Sequence, residues 1–137
     1  VCSAYRTQAT QVRLYNNKIA RLRAAGWDES TLLTEAARWV APPGTSEHQL
    51  GLAVDIVAVN QQVLEEEQED TPTQQWLLAN SWKYGFILRY PQGAEDATEI
   101  TYEPWHWRYV GPENAAKINA SGLCFEDYIA ALQSIAA

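Results

Sequence analysis

The two histidines of this 137-residue chain stand in two short blocks that also carry acidic residues. The first block is Ser46–Asp55 (SEHQLGLAVD) and the second is Glu103–Val110 (EPWHWRYV). Asp55 lies inside an apolar, strand-like run, where a carboxylate is costly unless it is paired, hydrogen-bonded or bound to a metal. Together with His48 and His106 it makes a set of two imidazoles and one carboxylate. That set suits Zn²⁺ and leaves a fourth position for water, as in catalytic zinc sites.

Glu103 stands three residues before His106, where a carboxylate could take a proton from a metal-activated water and pass it to a leaving amine. The helical HExxH motif is absent from the sequence, so such a site would have a different architecture. Each residue also has an ordinary structural interpretation: histidines beside aromatic residues often pack in a core, and a strand aspartate often pairs with arginine. Spacing alone therefore leaves a metal site and a set of structural side chains as equal alternatives.

Composition excludes several classes of protein. The chain has 17 acidic and 10 basic residues and a net charge of -7. A surface that binds the phosphate backbone of a nucleic acid is positively charged, so we expect no nucleic acid partner. No apolar run approaches the roughly 18 residues that a membrane-spanning helix needs, and we expect no membrane span. The hydrophobic content of 47% and the length predict one globular domain over residues 1–137.

The two cysteines lie near opposite ends of the chain. Cys2 and Cys124 have no Cys or His neighbour at metal-ligand spacing, which excludes a zinc knuckle. They could form one disulfide or remain two buried thiols, and we favour the disulfide. Because the chain opens on Val1 without a signal peptide or an initiator Met, we expect a trimmed domain whose targeting segment preceded it.

Hydrophobic periodicity and cap residues predict the elements that must position these side chains. Strands are predicted over residues 1–5, 52–59 and 86–90, with a strand pair or a bent strand over 101–110. Helices are predicted from the caps Thr7 and Asp28, from Pro72, from Pro112 and over residues 125–135. The acidic run from Asn60 to Thr71 is interpreted as a solvated loop, since it lacks the alternation and Gly turn of a calcium site. This mixed order, without a regular βαβ rhythm, predicts an α+β fold.

Four blocks of the chain resemble the VanY-type D-alanyl-D-alanine carboxypeptidases of the M15 zinc peptidase family. Ser46–Asp55 and Glu103–Gly111 carry the motifs SxHxxGxAxD and ExxHWRYVG. Residues 3–6 (SAYR) followed by Gln11 are similar to the family's SxYR…Q segment, and residues 84–91 (YGFILRYP) to its YGFxLRYP strand. The blocks, in order, extend over nearly the whole chain. The resemblance implies a single-domain fold with a small antiparallel sheet and flanking helices, like that of hedgehog and DD-peptidases.

The resemblance also implies a set of reacting residues. One Zn²⁺ per chain would be held by His48, Asp55 and His106, with Glu103 as the general base and acid. Arg6 would stabilise the oxygen of the scissile carbonyl, a role that a fixed guanidinium performs well at a developing oxyanion.

Three further residues are expected to contact the substrate. Gln11 and Ser46 would hydrogen-bond its terminal carboxylate or its backbone. Trp105 would wall the pocket, although core packing is nearly as good an interpretation of that ring. Ala4 and Leu50 stand where the family often has Gly and Thr, and these differences leave the details of the substrate open.

The implied activity is removal of the terminal D-Ala from peptidoglycan stem peptides by zinc-activated water. Such an enzyme would work outside the cytoplasmic membrane, as a monomer, anchored by a segment that precedes this sequence. An L,D-carboxypeptidase acting on tetrapeptide stems, a dipeptidase or an endopeptidase remain alternatives within the superfamily. A zinc-containing binding module without turnover is an alternative of another class, and the presence of Glu103 favours an enzyme. The sequence leaves open whether the role is glycopeptide resistance or ordinary wall trimming.

Overall fold

A three-stranded antiparallel sheet, in the order β1-β3-β2, positions the two blocks. Its strands are β1 (Ala53–Asp55), β2 (Phe86–Leu88) and β3 (His106–Tyr109). The register pairs Asp55 with His106 directly across β1 and β3. The computed structural model describes residues 1–136. The pairing of two short strands therefore brings a carboxylate of the first block against an imidazole of the second.

Helices flank this sheet on the described part of the chain. They are α1 (Gln8–Ala24), α2 (Leu32–Trp39), α3 (Pro72–Asn80), α4 (Glu95–Thr98), α5 (Pro112–Ser121) and α6 (Phe125–Ala136), with 3₁₀ helices at Glu47–Leu50, Glu66–Asp70 and Ser81–Tyr84. The predicted α+β class, with a small antiparallel sheet and flanking helices, is confirmed.

Among residues 1–136, none of the helices combines the length and the apolar character that crossing a membrane requires.

Two apolar clusters hold these elements together. One lies between α1 and α2, and the other packs β2 against α5 and α6. Their buried members are Leu22, Leu32 and Ala36 in the first, and Ile87, Ala115, Ile118 and Tyr128 in the second. The helical hairpin thus has its own apolar cluster. It is joined to the first block at both ends, because Cys2 N donates to Asp55 O and Arg6 N to His48 O before α1, and the chain passes from α2 into that block.

Buried glutamines fasten the segment that leaves the sheet after Asp55. Gln68 accepts a hydrogen bond from Ala58 N at 3.0 Å through its side-chain oxygen. Gln74 donates to Ile56 O and accepts from Trp107 Nε1 at 3.2 Å. Both glutamine side chains are fully buried. Side-chain amides therefore satisfy backbone groups that a longer strand would have paired with a neighbouring strand.

The strands are shorter than the sequence predicts, and these glutamines are one reason. The strand predicted over residues 52–59 ends at Asp55. Where a strand pair or a bent strand is predicted over 101–110, one strand begins at His106, because a turn bonds His106 N to Glu103 O at 3.1 Å. Residues 1–5 form a single bridge between Ser3 and Asp55 rather than a strand, and the strand predicted over 86–90 ends at residue 88.

Helix starts are predicted better than strand lengths. Thr7 caps α1, accepting a hydrogen bond from Thr10 N at 3.2 Å. The helix expected from Asp28 begins later, at Leu32, because the Asp28 carboxylate instead accepts from Ser30 N at 2.7 Å in a local turn. The acidic run is also more ordered than a loop, since Glu66–Asp70 forms a 3₁₀ helix around the buried Gln68.

The favoured disulfide is wrong, because both thiols are free. Cys2 is exposed and its N–H donates to Asp55 O, at the β1 edge of the sheet. Cys124 is buried between α5 and α6, which pack against β2 at the other edge. The sheet order places β3 between these two edges, so the two cysteines belong to separate parts of the fold.

Gly85 is a position where only glycine fits. Its φ is +86°, and a Cβ there would lie 2.7 Å from the Tyr109 ring and 3.0 Å from backbone atoms of Gly111 and Pro112. We expect Gly85→Ala to lower the free energy of unfolding by about 2–4 kcal/mol, since both backbone strain and overlap must be relieved. Gly93 has a φ of +82° with open space around it, so Gly93→Ala is a matched control that should cost only about 1 kcal/mol. Urea unfolding followed by circular dichroism measures both, and equal losses would contradict the steric argument.

Candidate metal centre

Three buried side chains converge where β1 and β3 pair. Ligand atoms of His48, Asp55 and His106 all lie within 4.8 Å of one another. Asp55 Oδ1 is 3.3 Å from His48 Nε2 and 3.3 Å from His106 Nδ1. The exposed fractions of the three residues are 1%, 1% and 6%. Two imidazoles and one carboxylate around a common point form a donor set that zinc prefers.

The 3₁₀ helix Glu47–Leu50 turns His48 toward Asp55. It ends at Gly51, whose φ of 70° lets the chain reverse into β1. His48 Nδ1 lies 2.7 Å from Ala4 O, and a carbonyl oxygen can only accept, so Nδ1 carries the proton. The remaining nitrogen, Nε2, is buried and has no hydrogen-bond partner among the described residues. Its lone pair therefore faces Asp55 and is free to bind a cation.

Asp55 divides its two oxygens between an arginine and the cluster. Oδ2 accepts a hydrogen bond from Arg6 Nη2 at 2.6 Å. Oδ1 is buried and lacks a hydrogen-bond partner within residues 1–136. Burial raises the pKa of Asp55, but contacts with His106 and His48 outweigh it and hold that pKa well below its ordinary value. An ionised, buried oxygen without a partner is what a bound cation would satisfy, so these residues fit a metal ion.

Glu103 lies beside the three candidate ligands without belonging to their set. Its Oε2 is 3.5 Å from His106 Nδ1, and the tight turn at Pro104 holds its backbone. The residue is 8% exposed. Burial raises the pKa of Glu103 to about 7, and nearby positive charge only partly opposes that shift. A carboxyl group that titrates near neutral pH can both accept and return a proton.

A cavity of about 340 Å³ opens onto this cluster. Its lining brings together seven of the eight residues that the sequence singled out: Arg6, Ser46, His48, Asp55, Glu103, Trp105 and His106. Gln11 is the exception. It is fully buried, it donates a hydrogen bond to Ala41 O at 2.8 Å, and it does not line the cavity, whereas Ala41 does.

Sequence reasoning missed two features of the cavity wall. The Tyr90 ring lies 4.8 Å from the His106 ring, and burial raises the pKa of its hydroxyl. Lys18, on α1, has its Nζ 4.0 Å from the centre of the Trp39 ring. Tyr90 lies in the YGFILRYP block, so the resemblance could have identified it as a residue of the site. Lys18 has no such motif around it and resembles any charged residue on a helix surface.

A pair of arginines holds a further acidic residue behind His106. Glu47 Oε1 accepts a hydrogen bond from Arg89 Nε at 2.7 Å and forms an ion pair with Arg108 Nη1 at 2.6 Å. Burial raises the pKa of Glu47, but His106 and the arginines outweigh it and lower that pKa to about 2. Sequence analysis gave neither Glu47 nor Arg108 a role in the site, because only the folded sheet brings them together.

A family model described as VanY, D-alanyl-D-alanine carboxypeptidase, matches residues 1–112. A curated relative, the D-alanyl-D-alanine carboxypeptidase of Enterococcus faecalis, is 46% identical over 129 residues, which are 94% of this chain and 46% of that protein. The chain therefore spans less than half the length of this relative.

Two solved structures share the fold over most of the chain. VanYB in complex with D-alanine-D-alanine has a TM-score of 0.82 and 46% identity, and the match covers 93% of this chain and 67% of that one. The D,D-pentapeptidase VanY of a VanB-type resistance cassette, a glutamate-to-alanine mutant in complex with Zn(II), has a TM-score of 0.80 and 45% identity, with 93% and 68% covered.

Proposed function

The chain belongs to the VanY family of D-alanyl-D-alanine carboxypeptidases, and we propose that it removes the terminal D-Ala from stem peptides of bacterial peptidoglycan. The observation that carries this proposal is the convergence of His48, Asp55 and His106 beside Glu103 in one cavity. Because the polymer lies outside the cytoplasmic membrane, we infer that the enzyme works there.

We propose that His48 Nε2, Asp55 Oδ1 and His106 Nδ1 hold one Zn²⁺. The fit rests on the buried, unpartnered atoms of His48 and Asp55 within residues 1–136 and on the related VanY structure with Zn(II). When bound, the ion supplies a Lewis acid that makes water a better nucleophile and polarises a carbonyl.

Glu103 is proposed as the residue that moves the proton. Its carboxylate accepts a proton from the attacking water and returns it to the nitrogen of the departing D-Ala. A pKa raised by burial to about 7 suits both steps, since the group is neither too weak a base nor too weak an acid.

Arg6 is proposed to donate a hydrogen bond to the oxygen of the scissile carbonyl. Two of its nitrogens are engaged, with Ser3 Oγ at 2.9 Å and Asp55 Oδ2 at 2.6 Å, so the plane of the guanidinium is fixed. Within residues 1–136 its Nη1 makes no hydrogen bond, and the residue lines the cavity. A donor held in advance at this place stabilises developing negative charge without reorganising.

The three substrate-contact residues are proposed to act in two ways. Ser46 and Trp105 line the cavity, and we propose that they contact the peptide directly. Gln11 is proposed to act through Ala41, since it fixes the carbonyl of that lining residue. Its effect on binding would therefore be positional.

Defined stem peptides test the proposed reaction. With zinc present, we expect release of D-Ala from a pentapeptide ending in D-Ala-D-Ala, detected by mass spectrometry. Release of D-Ala only from a tetrapeptide would replace this proposal by an L,D-carboxypeptidase. Release of a dipeptide would indicate a dipeptidase, and zinc binding without cleavage of any stem peptide would indicate a binding module.

Zinc binding is expected to release a proton near neutral pH. Burial lowers the pKa of His106, but the nearby carboxylates of Asp55, Glu47 and Glu103 outweigh it and raise that pKa to about 9. The metal-free ring is then protonated below about pH 9, and its proton must leave before Nδ1 can bind zinc. Calorimetry in buffers of different ionisation enthalpy should give about one proton released near neutral pH, with apparent affinity rising with pH until the ring is neutral. No proton release near neutral pH would contradict this ionisation state.

A further inference from the structure

Glu47 contacts the nitrogen of His106 that faces away from Asp55. Its Oε2 lies 3.7 Å from His106 Nε2, whereas His106 Nδ1 lies 3.3 Å from Asp55 Oδ1. Both Glu47 Oε2 and His106 Nε2 are buried, and neither has a hydrogen-bond partner in the part of the chain that the structure describes. Buried polar atoms are nearly always satisfied. A shift of a few tenths of an ångström would join this donor and this acceptor in a hydrogen bond.

Two arginines prevent the Glu47 side chain from turning away. Oε1 accepts a hydrogen bond from Arg89 Nε at 2.7 Å and forms an ion pair with Arg108 Nη1 at 2.6 Å. The Glu47 side chain is 12% exposed, so water competes little for these charge-assisted bonds. Because both arginines contact Oε1, the orientation of the carboxylate is fixed, and Oε2 faces His106.

Arg89 is itself braced by the last helix. Its guanidinium makes two hydrogen bonds to the carboxylate of Glu126, one of them from Nη1 at 2.9 Å. Glu126 lies in the first turn of α6, beyond the residues 1–112 that the family model matches. A chain of ionic contacts therefore runs from α6 through Arg89 and Glu47 to the ring of His106.

We propose that Glu47 is a positioning residue that accepts a hydrogen bond from His106 Nε2–H and so directs Nδ1 of that ring to the metal. Arg89 and Arg108 fix Glu47, and Glu126 fixes Arg89. The inference rests on the proposed zinc site. A neutral imidazole carries one N–H, so a proton held at Nε2 leaves the lone pair of Nδ1 free to bind the metal.

The two histidines are then in opposite tautomers. His48 carries its proton on Nδ1, where Ala4 O accepts it, and would bind zinc through Nε2. His106 carries its proton on Nε2 and would bind through Nδ1. The chain has only these two histidines. The imidazole ¹⁵N signals of the whole protein therefore report the tautomer of each ring.

The Glu47→Gln variant tests the positioning role. Its amide oxygen must face the arginines, so its NH₂ group faces His106 Nε2 and favours the wrong tautomer. We expect zinc to bind about 10- to 100-fold more weakly, measured by competition with a chromophoric chelator. Glu126→Gln should also weaken zinc binding, but by a smaller factor than Glu47→Gln, since Glu126 acts through Arg89. Glu29→Gln, which removes an exposed ion pair with Arg23, is the matched control and should leave zinc affinity unchanged.

A second measurement needs no variant and so does not depend on the stability of Glu47→Gln. Long-range ¹H–¹⁵N spectra of the unmodified, zinc-loaded protein should show one ring protonated on Nδ1 and the other on Nε2. Two rings with the same tautomer, or zinc affinity of Glu47→Gln within about twofold of the unmodified protein, would overturn the inference. Failure of the unmodified protein to bind zinc would overturn the proposed function instead, and with it the premise of this one.

Discussion

The Glu103→Gln variant is expected to hydrolyse stem peptides about 10³-fold more slowly than the unmodified enzyme. Glutamine keeps the size of the side chain and its place in the turn, but it can neither accept a proton from water nor return one to the leaving amine. Since Glu103 lies beside the candidate ligand set without belonging to it, zinc should remain bound with one ion per chain. The loss should therefore appear in kcat, with little change in zinc stoichiometry measured by elemental analysis.

Glu113→Gln provides a matched control for this substitution. Glu113 is exposed on α5, where it pairs with Lys117 at 2.7 Å, so the same chemical change there should leave turnover intact. If Glu103→Gln kept the turnover of the unmodified enzyme, another group would have to move the proton. If it lost zinc, Glu103 would be a ligand and the assignment of the metal site would change.

Replacing Asp55 should remove the metal and weaken the fold. In Asp55→Asn the cluster loses its anionic oxygen, and zinc affinity should fall by more than the about 10- to 100-fold that the loss of an outer partner causes. Hydrolysis should fall with it. The partly buried Arg6 would also lose the carboxylate that it contacts at 2.6 Å, which we expect to cost about 3 kcal/mol of unfolding free energy in the metal-free protein.

Asp96→Asn, on the exposed surface of α4, is the matched control and should alter neither property. Chelator competition and urea unfolding of the metal-free protein measure the two effects separately. Unchanged zinc affinity in Asp55→Asn would remove Asp55 from the ligand set. Unchanged stability with lost zinc would mean that its pairing with Arg6 contributes little to the fold.

The sequence by itself determined the residue types of the candidate site and most helix starts. Two imidazoles and a carboxylate left a cation site and structural side chains as equal alternatives, and the resemblance to a zinc peptidase family favoured the cation. Thr7 and Pro112 marked helix starts because N-terminal caps and first-turn prolines depend on a few neighbouring residues. The order of the predicted elements indicated the α+β class. The blocks that resemble the VanY-type family implied eight site residues, of which seven line the cavity and Gln11 does not.

Tertiary structure decided what depends on distant parts of the chain. The register of β1 and β3 sets Asp55 against His106, and side-chain amides such as that of Gln74 end the strand that apolar composition would extend. The contacts of Arg89 with Glu47 and Glu126 join residues 42 and 37 positions apart. No local pattern encodes such partners, because a buried charge is stabilised by whichever opposite charge the closed fold brings to it.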